Sequence, residues 1–331
     1  MNKIFLTILL SILAAGAFAQ PSFNIDYATF RTGEVTLLQV YSMVQRSSLE
    51  FDTAESLLEA SFDVKAEILK NDSSLASITE EHTDHATSRT TINSSQKIPL
   101  ENSFRIVPGE YRIMVTVTDL NSGEANVKTE KIKIEGYDHE GLQISDIEFA
   151  MQISPSNQPG AFTKNQLKVV PNADRIYGPD LPVANYYVEV YNLQASDREI
   201  KYTVYRNILD GTGNIYKKLP TKELPQMASS VLETDSFSIA DFPTGSYKLK
   251  ISVEDGITRQ IATTSKPFWI FNAAEQMSAG QPSRSIELEN SIGNLTPEEA
   301  SKEIKYISYL AQSTDNKLIR QLEPQGFKKF L

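Results

Sequence analysis

The chain contains no cysteine, so no disulfide holds its domains and no thiol can serve as nucleophile or metal ligand. Stability must come from packed cores alone, which domains of about 110 to 130 residues are large enough to supply. Tryptophan occurs once, at Trp269, and histidine three times. Cations are in deficit: 32 Lys and Arg face 42 Asp and Glu, a formal net charge of -10. That balance disfavours phosphate backbones and anionic membrane surfaces, so nucleic acid is not an expected partner. Beyond the first residues no apolar run approaches the roughly twenty residues of a membrane helix. The sequence also lacks H-E-x-x-H, G-x-S-x-G and a G-x-x-x-x-G-K-(S/T) phosphate loop, which removes the commonest signatures of zinc proteases, serine hydrolases and P-loop NTPases.

What is present begins with an address label. Lys3 supplies a short positive region, Ile4 to Leu13 an apolar run too short to span a bilayer, and Ala17-Phe18-Ala19 a small-x-small cleavage site. Residues 1–19 are thus read as a signal peptide, and the mature chain is expected to start at Gln20. The residue after the cut is not Cys, so there is no lipobox and no lipid anchor is expected there. The mature product is expected to be exported, periplasmic or extracellular, without an integral membrane span.

The mature chain repeats itself. Gly109-Glu110-Tyr111-Arg112-Ile113-Met114-Val115-Thr116-Val117-Thr118-Asp119 and Gly245-Ser246-Tyr247-Lys248-Leu249-Lys250-Ile251-Ser252-Val253-Glu254-Asp255 both read G-x-Y-x-(I/L)-x-(V/I)-x-V-x-D. Alternation at period two marks strands with one buried and one wet face. Upstream, Ser103-Phe104-x-Ile106 matches Ser236-Phe237-x-Ile239, and Val40-Tyr41-Ser42-Met43 resembles Val190-Tyr191-Asn192-Leu193. Two copies at this spacing indicate duplication of a domain and not a solenoid. Tyr111 and Tyr247, each two residues after a Gly, are expected to share a packing role such as a tyrosine corner.

The expected fold is mainly β: two tandem immunoglobulin-like antiparallel β-sandwich domains followed by a short α-helical C-terminal segment. The first sandwich occupies residues 20–138, with seven strands that include one at Thr87 to Asn93, while Asp72 to Ser95 as a whole is polar enough for a long loop or a weakly packed edge. The second occupies residues 139–272, and Asp210-Gly211-Thr212-Gly213-Asn214 is a hairpin turn in it. Residues 273–283 read as a linker and 284–331 as a helical tail. There Thr296-Pro297-Glu298-Glu299 forms a capping box, and Ala300, Ile304, Ile307 and Ala311 fall on one helical face suited to docking a partner.

Candidates for chemistry are sparse. Glu80-Glu81-His82-Thr83-Asp84-His85 is the one cluster with metal-ligand residue types, and His82 and His85 would share a face on a helix. Without an apolar frame to orient ligands, a solvated loop is the competing account. Ser94-Ser95-Gln96-Lys97 matches a loose S-x-x-K pattern, but that chemistry needs a helix start, and the surroundings read as strand and turn. Seven tyrosines between Tyr177 and Tyr216 crowd the second domain. Tyr187, Tyr191 and Tyr205 are the candidate binding residues, since an exposed line of rings could stack on sugars; packing inside a sheet is the alternative. No catalytic residue and no cofactor is indicated.

The order of features resembles the front portion of bacterial exported proteins named for a GWxTD motif. The residues that carry the resemblance are Val35 to Phe51, Pro108 to Asp119, Leu142 to Ile147, Val170-Pro171-Asn172 with Tyr177-Gly178, Tyr187 to Leu193, and Ile304 to Ile307 through Phe327-Lys328-Lys329-Phe330-Leu331. The motif itself is absent, and the chain is expected to end before it. The resemblance implies tandem β-sandwiches leading into helices, without an assigned enzymatic role. The reading that follows is an exported, non-catalytic interaction or scaffold protein of the bacterial envelope with a protein partner there. The alternatives are a carbohydrate- or polymer-binding module using the Tyr-rich second domain, and a hydrolase with a dispersed carboxylate and His site.

Overall fold

The computed structural model describes residues 19–272 apart from 34, 55–56 and 138–139. The expected signal peptide (1–19, of which only residue 19 is described), the expected linker 273–283 and the expected helical tail 284–331, with Ala300, Ile304, Ile307 and Ala311, therefore lie outside the described residues. The chain is mainly β. Among the described residues the only helices are two single 3-10 turns, at Arg46–Ser48 and Arg89–Thr91, and no helix is long and apolar enough to cross a membrane.

The contacts separate two compact units: one runs up to Tyr27 and resumes as Val35–Gly136, and the other comprises Ala28–Glu34 and the chain from Tyr137. The segment 28–34 is grouped with the second unit although it precedes the main run of the first in sequence.

In the first unit the strands are β1 (Phe23–Thr32, its second half in the other unit), β2 (Val35–Gln45), β3 (Asp52–Ala54), β4 (Leu57–Lys70), β5 (Ser73–Ala86), β6 (Lys97–Ile106), β7 (Gly109–Asp119) and β8 (Ala125–Ile134). One sheet has the order β1-β2-β6. In the other, β4 pairs antiparallel with β3, β5 and β7, and β7 with β8. Alternate residues of both sheets meet in one core: Leu38, Val40 and Val44 of β2 and Leu100, Phe104 and Ile106 of β6 pack with Phe62, Val64, Ala66 and Ile68 of β4 and Ile113, Val115 and Val117 of β7. This is a sandwich-like arrangement, and the period-two alternation is its cause, because only every second side chain of a pleated strand reaches the shared interior.

The second unit holds β9 (Gln143–Ile144), β10 (Glu148–Pro155), β11 (Thr163–Lys164), β12 (Leu167–Pro171), β13 (Ile176–Tyr177), β14 (Val183–Tyr191), β15 (Lys201–Asp210), β16 (Ile215–Lys218), β17 (Lys222–Pro225), β18 (Ser230–Ser238), β19 (Gly245–Glu254) and β20 (Ile261–Ile270). β14 lies between β10 and β18, and β19 between β15 and β20. β13 adds to β20 in parallel. The core again draws on both sheets, with Tyr186, Val188 and Val190 of β14 facing Val204 and Ile208 of β15 and Leu249, Ile251 and Val253 of β19.

The strand neighbours repeat between the units: β2 pairs β6 as β14 pairs β18, and β4-β7-β8 recurs as β15-β19-β20. Each repeat also begins and ends on the same contacts. The Tyr111 hydroxyl donates to the Val107 carbonyl at 3.0 Å and the Tyr247 hydroxyl to the Pro243 carbonyl at 3.0 Å. Both reach four residues back, the geometry of a tyrosine corner. At the far ends, buried Asp119 accepts the amides of Asn121, Ser122 and Glu50, and buried Asp255 those of Ile257, Thr258 and Gln194. Each carboxylate thereby closes the turn after its strand and ties down the loop that follows β2 or β14.

One sequence expectation needs correction. Thr87 to Asn93 is not a strand but contains the 3-10 turn at Arg89–Thr91. The strand of this region lies earlier, as the 14-residue β5. It escapes a period-two reading because only Ala76, Ile78 and its last residue, Ala86, pack on the core, while the inward positions between them are Glu80, His82 and Asp84.

Candidate functional site

β5 contains the histidine and carboxylate cluster. Strand geometry puts His82 and His85, three apart, on opposite faces, so the shared face that a helix would have provided does not exist. The His82 ring lies 5.4 Å from that of Phe62, and its Nε2 stands 3.9 Å from Glu80. His85 Nε2 meets Glu59 at 3.1 Å on the other face. Asp84 is ion-paired with Arg46, and the Asn102 amide donates to Glu80 at 3.0 Å. The cluster is thus divided between the two faces of the strand, and among the described residues no three His, Cys, Asp or Glu side chains are grouped to hold a metal ion. Ser94 and Ser95 sit in the turn before β6 and Lys97 starts that strand, so S-x-x-K has no helical turn to align it. Asp210 accepts the Thr212 and Asn214 amides, each at 2.9 Å, within the expected hairpin turn between β15 and β16.

The tyrosines divide by strand parity. Tyr187 and Tyr191 project from the face of β14 opposite the core, together with Glu189, but all of Tyr187 and nearly all of Tyr191 is buried. Their hydroxyls donate to the two oxygens of Glu189, at 2.6 and 2.7 Å, and Asn165 adds a bond of 2.9 Å to the same carboxylate. Phe30 and Arg31 cover them from the segment 28–34. The Arg31 guanidinium sits 4.4 Å from the Tyr191 ring centroid and bonds Asn192 and Ser230. Lys164, paired with Glu148, lies 4.7 Å from the Tyr187 ring and 4.3 Å from that of Phe30. Burial first, then the charge of Glu189, pushes both phenols far above the ordinary tyrosine range. They stay protonated and act as hydrogen-bond donors, which suits a clasp that holds the segment 28–34 onto β14 and removes these rings from any exposed platform. Tyr205 is apart from them, on β15, 37% exposed, with its hydroxyl donating to Glu254 at 2.8 Å.

A second cluster was not foreseen. Tyr186 donates to Glu233 at 3.0 Å, Arg206 bonds Tyr186 at 3.3 Å and pairs with Asp235, and Lys222 reaches Glu233 at 2.6 Å and Asp235 at 2.9 Å. Burial is the largest influence on Asp235, but the Lys222 bond, the Ser236 amide and Arg206 outweigh it and hold the carboxyl below its usual range. Two cations and two anions balance, so the cluster presents no net charge to a ligand. Its members come from β14, β15, β17 and β18, separated by up to 49 residues, and no local sequence signal connects them. The open depression at the end of the first unit, about 460 Å³ and lined by Asn71, Tyr111, Arg112 and Lys131, is likewise mixed in charge, with Arg112 paired to Asp72 and Lys133 to Glu135.

What stays accessible is the backbone of β5. It pairs with β4 along its whole length, and among the described residues no strand lies on its far side. Its outward face carries Ser77, Thr79, Glu81, Thr83 and His85, all exposed and none bulky, so nothing in the strand itself blocks the approach of another backbone.

No family model matches the sequence, and no curated protein sequence matches it. Among solved structures, a red sea bream transglutaminase is similar at 11% identity and a TM-score of 0.20, over 77% of this chain and 31% of that one. A calcium-binding mutant of Bacteroides uniformis beta-glucuronidase 2 is similar at 8% identity and a TM-score of 0.22, over 70% of this chain and 26% of that one. The chain spans less than a third of the length of either.

Proposed function

We propose that this protein is an exported, non-catalytic interaction or scaffold protein of the bacterial envelope, made of two tandem immunoglobulin-like sandwiches. The single observation that carries the reading is the open edge of β5: 14 residues long, polar on its outer face apart from the exposed Leu75, and paired on one side only. An edge of this kind takes up an extended segment of a partner by β-augmentation, main-chain bonds supplying affinity and side chains at alternate positions supplying register. The repeated strand order, the two tyrosine corners and the buried aspartates at the repeat ends support the tandem reading. Export rests on the leader at residues 1–19, and the resemblance to the front portion of GWxTD-motif proteins fits the same account. Against catalysis stands the state of the titratable clusters: the phenols are locked protonated, and their carboxylate partners are occupied by structural bonds.

The test is capture of cross-linked partners from the envelope of the native host, comparing the full chain with Thr79→Pro and Glu80→Pro. Successive amides of a strand point to opposite edges, so one of these two prolines removes an outward N–H and the other an N–H used by β4. The expected result is loss of the partner with the outward variant while its melting temperature stays close to that of the parent. Equal recovery with both folded variants, or the same polysaccharide recovered in place of a protein, would overturn the reading.

A further inference from the structure

The first and last strands of the first unit meet through a lysine and an asparagine. Asn24 is on β1, at the edge of the three-stranded sheet, and Lys128 is on β8, the last strand of the opposite sheet, 104 residues further along. Lys128 Nζ donates directly to Asn24 Oδ1 and lies 5.5 Å from the centroid of the Phe23 ring. Both side chains are half-buried. Two residues back along β8, Asn126 Nδ2 donates to the Pro21 carbonyl at 2.9 Å, so this seam is held in register and the two side chains do not meet by chance. Carboxyl groups stand next to both partners: Asp26, 4% exposed, is two residues from Asn24 on the same face of β1, and Glu130 is two residues from Lys128 on the same face of β8. The second unit has no counterpart. Tyr111 pairs with Ile132 as Tyr247 pairs with Phe268, so the position equivalent to Lys128 is Thr264.

From this geometry we propose that Lys128 and Asn24 form an intramolecular isopeptide bond that fastens β8 to β1. In the step, the uncharged Lys128 amine attacks Cγ of Asn24, its proton having passed to a carboxylate of the seam, Asp26 or Glu130. A new Nζ–Cγ bond forms, the carboxyl group delivers its proton to the side-chain nitrogen of Asn24, and the bond from Cγ to that nitrogen breaks to release ammonia; the second proton, which Nζ sheds on becoming an amide, passes to the same carboxylate and is carried off by the ammonia as ammonium. Atoms balance without any oxidant, cofactor or external donor, because one amide replaces another. An exported chain without cysteine would gain a covalent staple in this way, but the inference stands independently of the interaction reading.

The test is mass spectrometry of the purified full chain, with both of its ends mapped by peptide sequencing. The expected intact mass is lower than the sequence mass by one ammonia, and digestion yields a branched peptide that contains both residue 24 and residue 128. Asn24→Ala and Lys128→Arg should each show the full sequence mass and migrate differently from the parent in a denaturing gel. Asn24→Asp should instead lose water and give the same cross-linked product, a positive result that a variant failing to fold cannot mimic. Recovery of residues 24 and 128 on separate linear peptides at full sequence mass would overturn the proposal, and so would an ammonia loss that persists in Asn24→Ala.

Discussion

Tyr111 and Tyr247 each place one hydroxyl on one carbonyl, and each ring is buried, so removing the oxygen isolates a single hydrogen bond. Tyr111→Phe and Tyr247→Phe should each cost about 1 kcal/mol of unfolding free energy in chemical denaturation, with the m-value unchanged. A cost near zero for both would show that the corner is incidental. Asp255 adds a pH signature. Burial is the largest influence and opposes its charge, but the amides of Gln194, Thr258 and Ile257 and the Gln226 side chain outweigh it and hold the carboxyl below the ordinary carboxylate range. A carboxyl depressed in the folded state contributes stability that is fully present above about pH 4, the unfolded value, and is lost as pH falls below it. Asp255→Asn should therefore flatten the acid limb of the stability curve and lower stability at neutral pH by on the order of 2 kcal/mol. An unchanged acid limb would assign the acid sensitivity elsewhere. Both residues were legible in the sequence, because the repeat prints them at matching positions.

At the scale of elements, legibility followed burial. β7 and β19 bury one face evenly and could be read directly, whereas β5 packs only Ala76, Ile78 and Ala86 on the core and fills the inward positions between them with Glu80, His82 and Asp84. The alternation signal fails where polar side chains close a seam between sheets. The turn into β5 is a better guide than its pattern. Asn71 and Asp72 form a two-residue loop between Lys70 and Ser73 with φ of 51° and 62°, the type I′ hairpin geometry in which Asn is well suited to the first position and Gly to the second. Asp72→Gly should thus raise the melting temperature modestly, by up to about 1 kcal/mol of stability, since the exposed Asp72–Arg112 pair that it removes is worth little. A clear loss of stability would mean that this pair matters more than the turn. The tyrosine-rich strand β14 was read correctly as a strand, but the fate of its outer face was hidden: the residues that cover Tyr187 and Tyr191 lie far away in the sequence, at Phe30, Arg31 and Lys164.

For the molecule as a whole, two features stand out: a strand order that recurs in the two units and one open edge. Two units with the same strand neighbours each bury their own core, and the buried clusters of charge in the second unit are internally balanced, so neither offers an obvious place for chemistry. What distinguishes the units is β5, a long edge strand in the first whose counterparts beside β15 in the second, β16 and β17, are two short strands of four residues each. On the proposed reading, the interaction surface is the edge of β5 in the first unit. The most direct measurement is site-specific photo-cross-linking in the native host, with the reactive residue moved singly through Ser77, Thr79, Glu81 and Thr83 on β5 and, as controls on other faces, Thr129 and Tyr205. The account predicts that one protein is captured from the β5 positions and not from the controls. Capture only from the controls, or from no position on β5 in the folded, exported chain, would contradict it.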